Sequence, residues 1–147
     1  MLSARMAACA FCEIVAGRAE AAVVLDEPEV LAFLDVRPVF VGHVLVVPRE
    51  HHVTLPDLPS RLLPPLFEAV QRLCLAVTSG LGAQGTFVAA NNRVSQSVPH
   101  LHVHVVPRTK GDGLRGFFWP RTRYDSEEHL VETAGRIRST LAALGSS

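Results

Sequence analysis

The stretch that most constrains this chain is His100-Leu101-His102-Val103-His104-Val105-Val106. Polar and apolar residues alternate along it, and successive side chains of an extended chain point to opposite faces. The segment is therefore predicted as a strand, with three imidazoles on one face and Leu101, Val103 and Val105 turned to a core. Burial alone does not account for three imidazoles together; the plainer alternative is a solvent-facing polar edge that happens to be histidine. Neighbouring imidazoles would stand roughly 6.6 Å apart and the outer pair roughly 13 Å apart. One metal ion could take an adjacent pair but not easily all three, whereas an anion lying along the strand could meet His102 and His104 together. Imidazole is a nucleophile when neutral and a charge partner when protonated, and its ordinary pKa of about 6.5 makes both forms accessible.

Composition narrows the class. Hydrophobic residues make up 48% of the 147-residue sequence, so a packed globule is expected. Fourteen basic side chains balance fourteen acidic ones, which weighs against a nucleic-acid partner, since phosphate-backbone binding needs a basic surplus. No apolar run approaches the roughly 20 residues of a bilayer span. The opening MLSARMAACAF has one arginine and no sustained apolar segment, unlike a signal peptide. A cytoplasmic location is expected, with Cys9, Cys12 and Cys74 reduced. Cys9 and Cys12 read as a metal half-site or as two ordinary thiols, and Cys74 as a core residue.

The elements read as an α+β domain. Residues 1–10 are expected to be an N-terminal arm, 11–110 the core of the domain, and 111–147 a C-terminal extension whose helix packs on the same domain. Ala21–Asp26 and Val30–Leu34 flank Glu27-Pro28, a hairpin signal. His43–Pro48 and Phe87–Ala90 are further strands. Leu58–Leu81 is a helix candidate with Ser60 as its cap and a regular part from about Pro65, placing Leu66, Val70, Leu73 and Val77 on one face. Asn91–Pro99 is a polar connection. Asp125–Leu144 reads as an amphipathic helix with Leu130, Ala134, Ile137 and Leu141 in one stripe. Short links between strands favour an antiparallel sheet.

The pattern His-apolar-His-apolar-His-apolar-apolar, continued by Pro107-Arg108, resembles the signature of the histidine triad (HIT) family. Phe11-Cys12-Glu13-Ile14-Val15 with Gly17 resembles the family's opening. Ala32-Phe33-Leu34-Asp35 with Pro38, then Gly42-His43 and Leu45-Val46-Val47-Pro48, resemble its central strands. Asn91 and Gln96-Ser97-Val98 resemble its approach to the triad. The likeness runs in order over roughly residues 11 to 108, and two differences stand inside it: Arg93-Val94-Ser95 replaces glycines, and Pro99 directly precedes the triad.

The resemblance implies a five-stranded antiparallel sheet with a central and a C-terminal helix. It also implies a hydrolase that cleaves purine nucleotide conjugates at the α-phosphate, of adenosine phosphoramidate or dinucleoside polyphosphate type. His102 would be the nucleophile, oriented through the carbonyl of His100, with His104 on the phosphoryl oxygens and His43 in an orienting role. Asp35 would take the ribose hydroxyls; Phe11, Ile14 and Phe33 would wall the base; Asn91, Gln96 and Ser97 would stand beside the phosphates. Some members carry a C-x-x-C pair with two histidines, here Cys9, Cys12, His51 and His100, as a structural zinc site. The likeness further implies a homodimer, and Trp119 reaching a neighbouring subunit's site. A nucleotidyl transferase, a nucleotide-binding sensor with little turnover, and a zinc hydrolase using His102 and His104 as ligands are the alternatives; His104, where the transferase branch has glutamine, favours hydrolysis.

Overall fold

The computed structural model describes residues 9–115 and 121–145. The chain divides into two units, Met1–Asp112 and Gly113–Ser147. In the first, α1 (Ala10–Val15) is followed by β1 (Val23–Asp26), β2 (Val30–Leu34) and β3 (Val44–Pro48). Two 3-10 turns, Leu55–Asp57 and Ser60–Leu62, lead into α2 (Leu63–Leu81), and β4 (Gly85–Ala89) and β5 (Val103–Arg108) complete the sheet. All pairings are antiparallel, in the order β1-β2-β3-β5-β4. The expected five-stranded α+β architecture is the one observed.

The centre of the sheet is apolar on both faces. Val30 and Ala32 of β2, Val44 and Val46 of β3, and Val103 and Val105 of β5 pack with Leu66, Val70, Leu73 and Val77 of α2. The alternate residues Leu31, Phe33, Leu45 and Val47 pack on the opposite side with Cys9, Phe11 and Cys12. Each valine, leucine or phenylalanine among them contributes about 1.5–3 kcal/mol on burial. On β5 the second face belongs to His104, which lies opposite Leu45 in register. Sheet alternation therefore sends the histidine to the α1 side and its valine neighbours to α2.

Several boundaries differ from the sequence reading: β1 starts at Val23 and β3 at Val44, each later than expected, and β4 runs Gly85–Ala89 instead of Phe87–Ala90. Helix α2 begins at Leu63, with Pro64 and Pro65 in its first turn and no side-chain cap; Ser60 instead opens the preceding 3-10 turn. Strand β5 starts at Val103, so His100 and His102 precede it. Its pairing with β3 stops at Val103–Val46, and Pro99 has no N–H to extend a ladder. Residues 100 and 101 are held by other bonds, His100 N–H to the Val98 carbonyl (2.9 Å) and Leu101 N–H to the His52 carbonyl (2.7 Å). Leu101, Val103 and Val105 are nonetheless fully enclosed. In the second unit α3 (Glu127–Leu144) is capped by Ser126, whose hydroxyl accepts from His129 N–H at 3.0 Å. Its Leu130, Ile137 and Leu141 are exposed. Among the described residues no helix is long and apolar enough to cross a membrane. Trp119 lies outside the described residues.

Gly42 turns the chain into β3 with φ of +98°, a backbone region closed to side-chain-bearing residues at a cost of about 1–2 kcal/mol. Gly42→Ala should destabilise the protein by at least about that amount, because the added Cβ would also press on the Leu81 and Pro107 side chains. Gly80→Ala, inside α2 with open space around its Cβ, should stabilise it by about 0.5–1 kcal/mol. Urea unfolding of the two variants, expected to shift in opposite directions, checks the pair.

Candidate functional site

The sheet face under α1 carries two adjoining sites that share His100. His100 is fully buried, and its Nε2–H donates to the Pro48 carbonyl at 2.9 Å. Because that bond claims the proton, the Nδ1 lone pair is left facing inward. It meets the sulfurs of Cys9 and Cys12, each at 3.5 Å, and His51 Nδ1 at 3.2 Å; Cys12 Sγ stands 3.1 Å from His51 Nδ1. The four ligating atoms lie within 4.8 Å of one another. Around a tetrahedral zinc ion, with bonds of about 2.0–2.1 Å to nitrogen and 2.3 Å to sulfur, donors stand about 3.3 Å (N–N) and 3.6 Å (S–N) apart. The set matches this spacing. Burial, then the neighbouring Cys9 sulfur, pushes the Cys12 thiol up to about 11. A cation must therefore draw off its proton to bind.

The main-chain carbonyl of the same residue serves the second site. It accepts from His102 Nδ1–H at 2.8 Å, so the Nε2 of that ring carries a free lone pair. His102 packs edge-on against Phe11 (5.0 Å between ring centres) and His104 (4.9 Å). It belongs to neither group of three or more metal-ligating side chains found among the described residues, those being Cys9, Cys12, His51, His100 and Asp35, His43, His104.

A proton chain orders the other two rings. Val39 N–H donates to His43 Nδ1 at 3.1 Å. Neutral His43 must then carry its proton on Nε2, which lies 2.9 Å from His104 Nδ1. His104 accepts there and keeps its own proton on Nε2. Burial holds both rings below the ordinary histidine range, His104 at about 4 with the neighbouring imidazoles adding to the depression. Asp35 Oδ2 stands 3.7 Å from His43 Nδ1, while Oδ1 accepts from Arg37 N–H at 2.9 Å.

Phe11, Ile14, Phe33, Asp35, Ser97, His102 and His104 line one cavity of about 630 Å³. The size suits a mononucleotide. Sequence reasoning assigned no role in the site to Val36, Leu45 or Val98, which also line it; Leu45 and Val98 stood only within the quoted family motifs. Asn91 and Gln96 are not lining residues. Asn91 Nδ2–H donates to the Ser95 carbonyl (3.2 Å), and Gln96 spans from Arg93 N–H (2.9 Å) to the Val53 carbonyl (2.6 Å). They shape the loop before the triad. There Arg93 and Ser95 adopt φ of 71° and 60°, at the positions read as replacing glycines. His52 pairs with Glu50 (3.1 Å), His129 is exposed, and Cys74 is partly buried against the core.

The HIT domain model matches residues 16–111. The chain belongs to the HIT family. A HIT-like protein of Methanocaldococcus jannaschii is 38% identical, the match covering 86% of this chain and 99% of that one. An adenosine 5′-monophosphoramidase of Schizosaccharomyces pombe is 32% identical over 82% of this chain and 89% of that one. Among solved HIT structures, one from Bacillus subtilis superposes with a TM-score of 0.81 at 34% identity, covering 90% of this chain and 96% of that one. A zinc-bound histidine triad protein of Mycobacterium smegmatis does so with a TM-score of 0.71 at 36% identity, over 92% and 99%.

A histidine held neutral by burial takes up a proton more readily once unfolded. Below a pH of about 6.5 the unfolded chain therefore binds more protons, and stability falls as pH drops from there through about 4. Above that window this contribution is fully present. Urea midpoints measured from pH 8 to pH 4 should show a plateau and then a decline. The decline should be smaller in His104→Gln.

Proposed function

We propose that the protein hydrolyses purine nucleotide conjugates at the α-phosphate through a nucleotidyl-histidine intermediate. The observation that carries this reading is the 2.8 Å bond from His102 to the His100 carbonyl, which leaves an unprotonated ring nitrogen inside a nucleotide-sized cavity. His102 Nε2 attacks phosphorus; the P–N bond to imidazole forms as the bond to the leaving group breaks. The positive charge that then spreads over the ring is met by the carbonyl accepting from Nδ1. His104 Nε2–H donates to a non-bridging oxygen, and its neutral state suits a hydrogen bond rather than an ion pair. Asp35 takes the ribose hydroxyls, Phe11, Ile14 and Phe33 enclose the base, and Ser97 hydrogen-bonds the departing group. Water then attacks phosphorus as the P–N bond to His102 breaks; the proton water gives up balances the one the departing group takes from solvent, the nucleoside monophosphate is released and His102 returns to its neutral form.

Phosphoramidates and dinucleoside polyphosphates are the substrate classes in view. The name of the fission-yeast relative favours the former. Incubation with adenosine 5′-phosphoramidate and acid-sensitive trapping should yield a chain heavier by one adenylyl group. His102→Ala should lose that adduct and at least about 10⁴-fold in kcat while retaining AMP binding. An adduct persisting in the variant would reject the assignment.

Cys9, Cys12, His51 and His100 are assigned to structural zinc, which would tie α1 to the sheet; a zinc-bound relative of the same fold supports this. The protein should bind one zinc ion per chain, and chelation should lower its Tm. Cys12→Ser should abolish stoichiometric binding, read by metal analysis of the purified variant. A homodimer and a cytoplasmic location complete the reading. Dimerisation is supported by the exposed Phe67 and Leu75 of α2 and by the position of β4 at the end of the sheet order.

A further inference from the structure

The cavity assigned above to the nucleotide has a neighbour. A second cavity of about 860 Å³ adjoins it, and Ile14, Glu20, Ala21 and Val36 line both. The triad and Asp35 fix the phosphate and ribose in the first cavity, so the leaving group departs on the histidine side and the base points toward these four shared residues. The second cavity is therefore placed to receive something attached to the base, not the leaving group.

Its chemistry narrows what that is. Ile14, Val15, Val23 and Leu31 give it apolar walls. The cations on its rim are already paired: Arg18 holds Glu13 at 2.8 and 3.0 Å, and Arg49 holds Asp26 and donates to the Glu27 carbonyl at 2.6 Å. A phosphate chain would have to break these pairs, whereas a neutral hydrocarbon group would not. We infer that the base pocket of this protein accepts purines bearing a neutral apolar substituent on the base, seated in the cavity beyond Ala21. A secondary amine would retain one N–H for the Glu20 carboxylate and direct its carbon chain into the second cavity. The inference rests on the nucleotide reading given above and deepens it by naming a substrate class.

The test compares adenosine 5′-phosphoramidate with its N6-hexyl derivative as substrates, and AMP with N6-hexyl-AMP as ligands in calorimetry. The wild type should turn over the hexyl compound with kcat/KM no lower than that of the parent, and bind N6-hexyl-AMP at least as tightly as AMP. Ala22→Trp and Ala19→Trp, which crowd only the second cavity, should each reduce kcat/KM for the hexyl substrate at least about tenfold. The same variants should change the parent by much less. A wild type that rejects the hexyl group in both assays overturns the inference, as does a preference unmoved by both tryptophans. Lack of turnover of either substrate, with N6-hexyl-AMP still bound and displaced by the tryptophans, rejects the hydrolytic reading and leaves the cavity assignment standing.

Discussion

Two main-chain carbonyls decide the protonation of the site. Pro48 takes the proton of His100 Nε2, and His100 takes that of His102 Nδ1. Each bond fixes one tautomer, and each leaves the opposite nitrogen bare, facing a pair of sulfurs in one case and an open cavity in the other. A single residue thus links a metal-ready cluster to the nucleophile proposed above, its imidazole serving the first and its backbone the second. Holding both requires residues 99–102 to leave the strand ladder and be pinned to the segment after β3.

The opposite flank works by the same logic with a different partner. An amide N–H at Val39 sets His43, which sets His104. Burial keeps these two rings uncharged, so the chain of donors runs in one direction, from the Val39 amide through His43 to His104 at the cavity. In the function proposed above, Asp35 faces the ribose, and His104 meets phosphorus as a neutral donor.

Much of this was legible in the sequence because it is written in side chains. The alternation around His102, the apolar stripe of α2 and the C-x-x-C pair each announce an arrangement that the structure contains. The points that escaped are backbone effects. No residue type signals that Pro48 offers a carbonyl to His100, or that Val39 supplies a donor to His43. The strand was read three residues too early because side-chain alternation persists where hydrogen-bond pairing has ended. The family likeness put Gln96 and Asn91 beside the phosphates, yet their amides are engaged by backbone groups. Left-handed conformations at Arg93 and Ser95, sites where a glycine would relax the chain, mark that loop as strained by about 1 kcal/mol at each position.

The two-sided burial of β2 and β3 has a consequence for how the chain finds its alignment. In a sheet with one wet face, sliding a strand by one residue exposes its oily side and is heavily penalised. Here Val30–Leu34 and Val44–Pro48 are apolar at every step, so a slipped pairing would still exclude water. Hydrophobicity cannot break that tie. Shape must: Ala32 is the small residue in its strand and sits against α2, while Phe33 occupies the roomier side beneath α1. Exchanging them would crowd one layer and hollow the other. Volume complementarity, not oiliness, thus selects the alignment that brings Leu45 opposite Phe33.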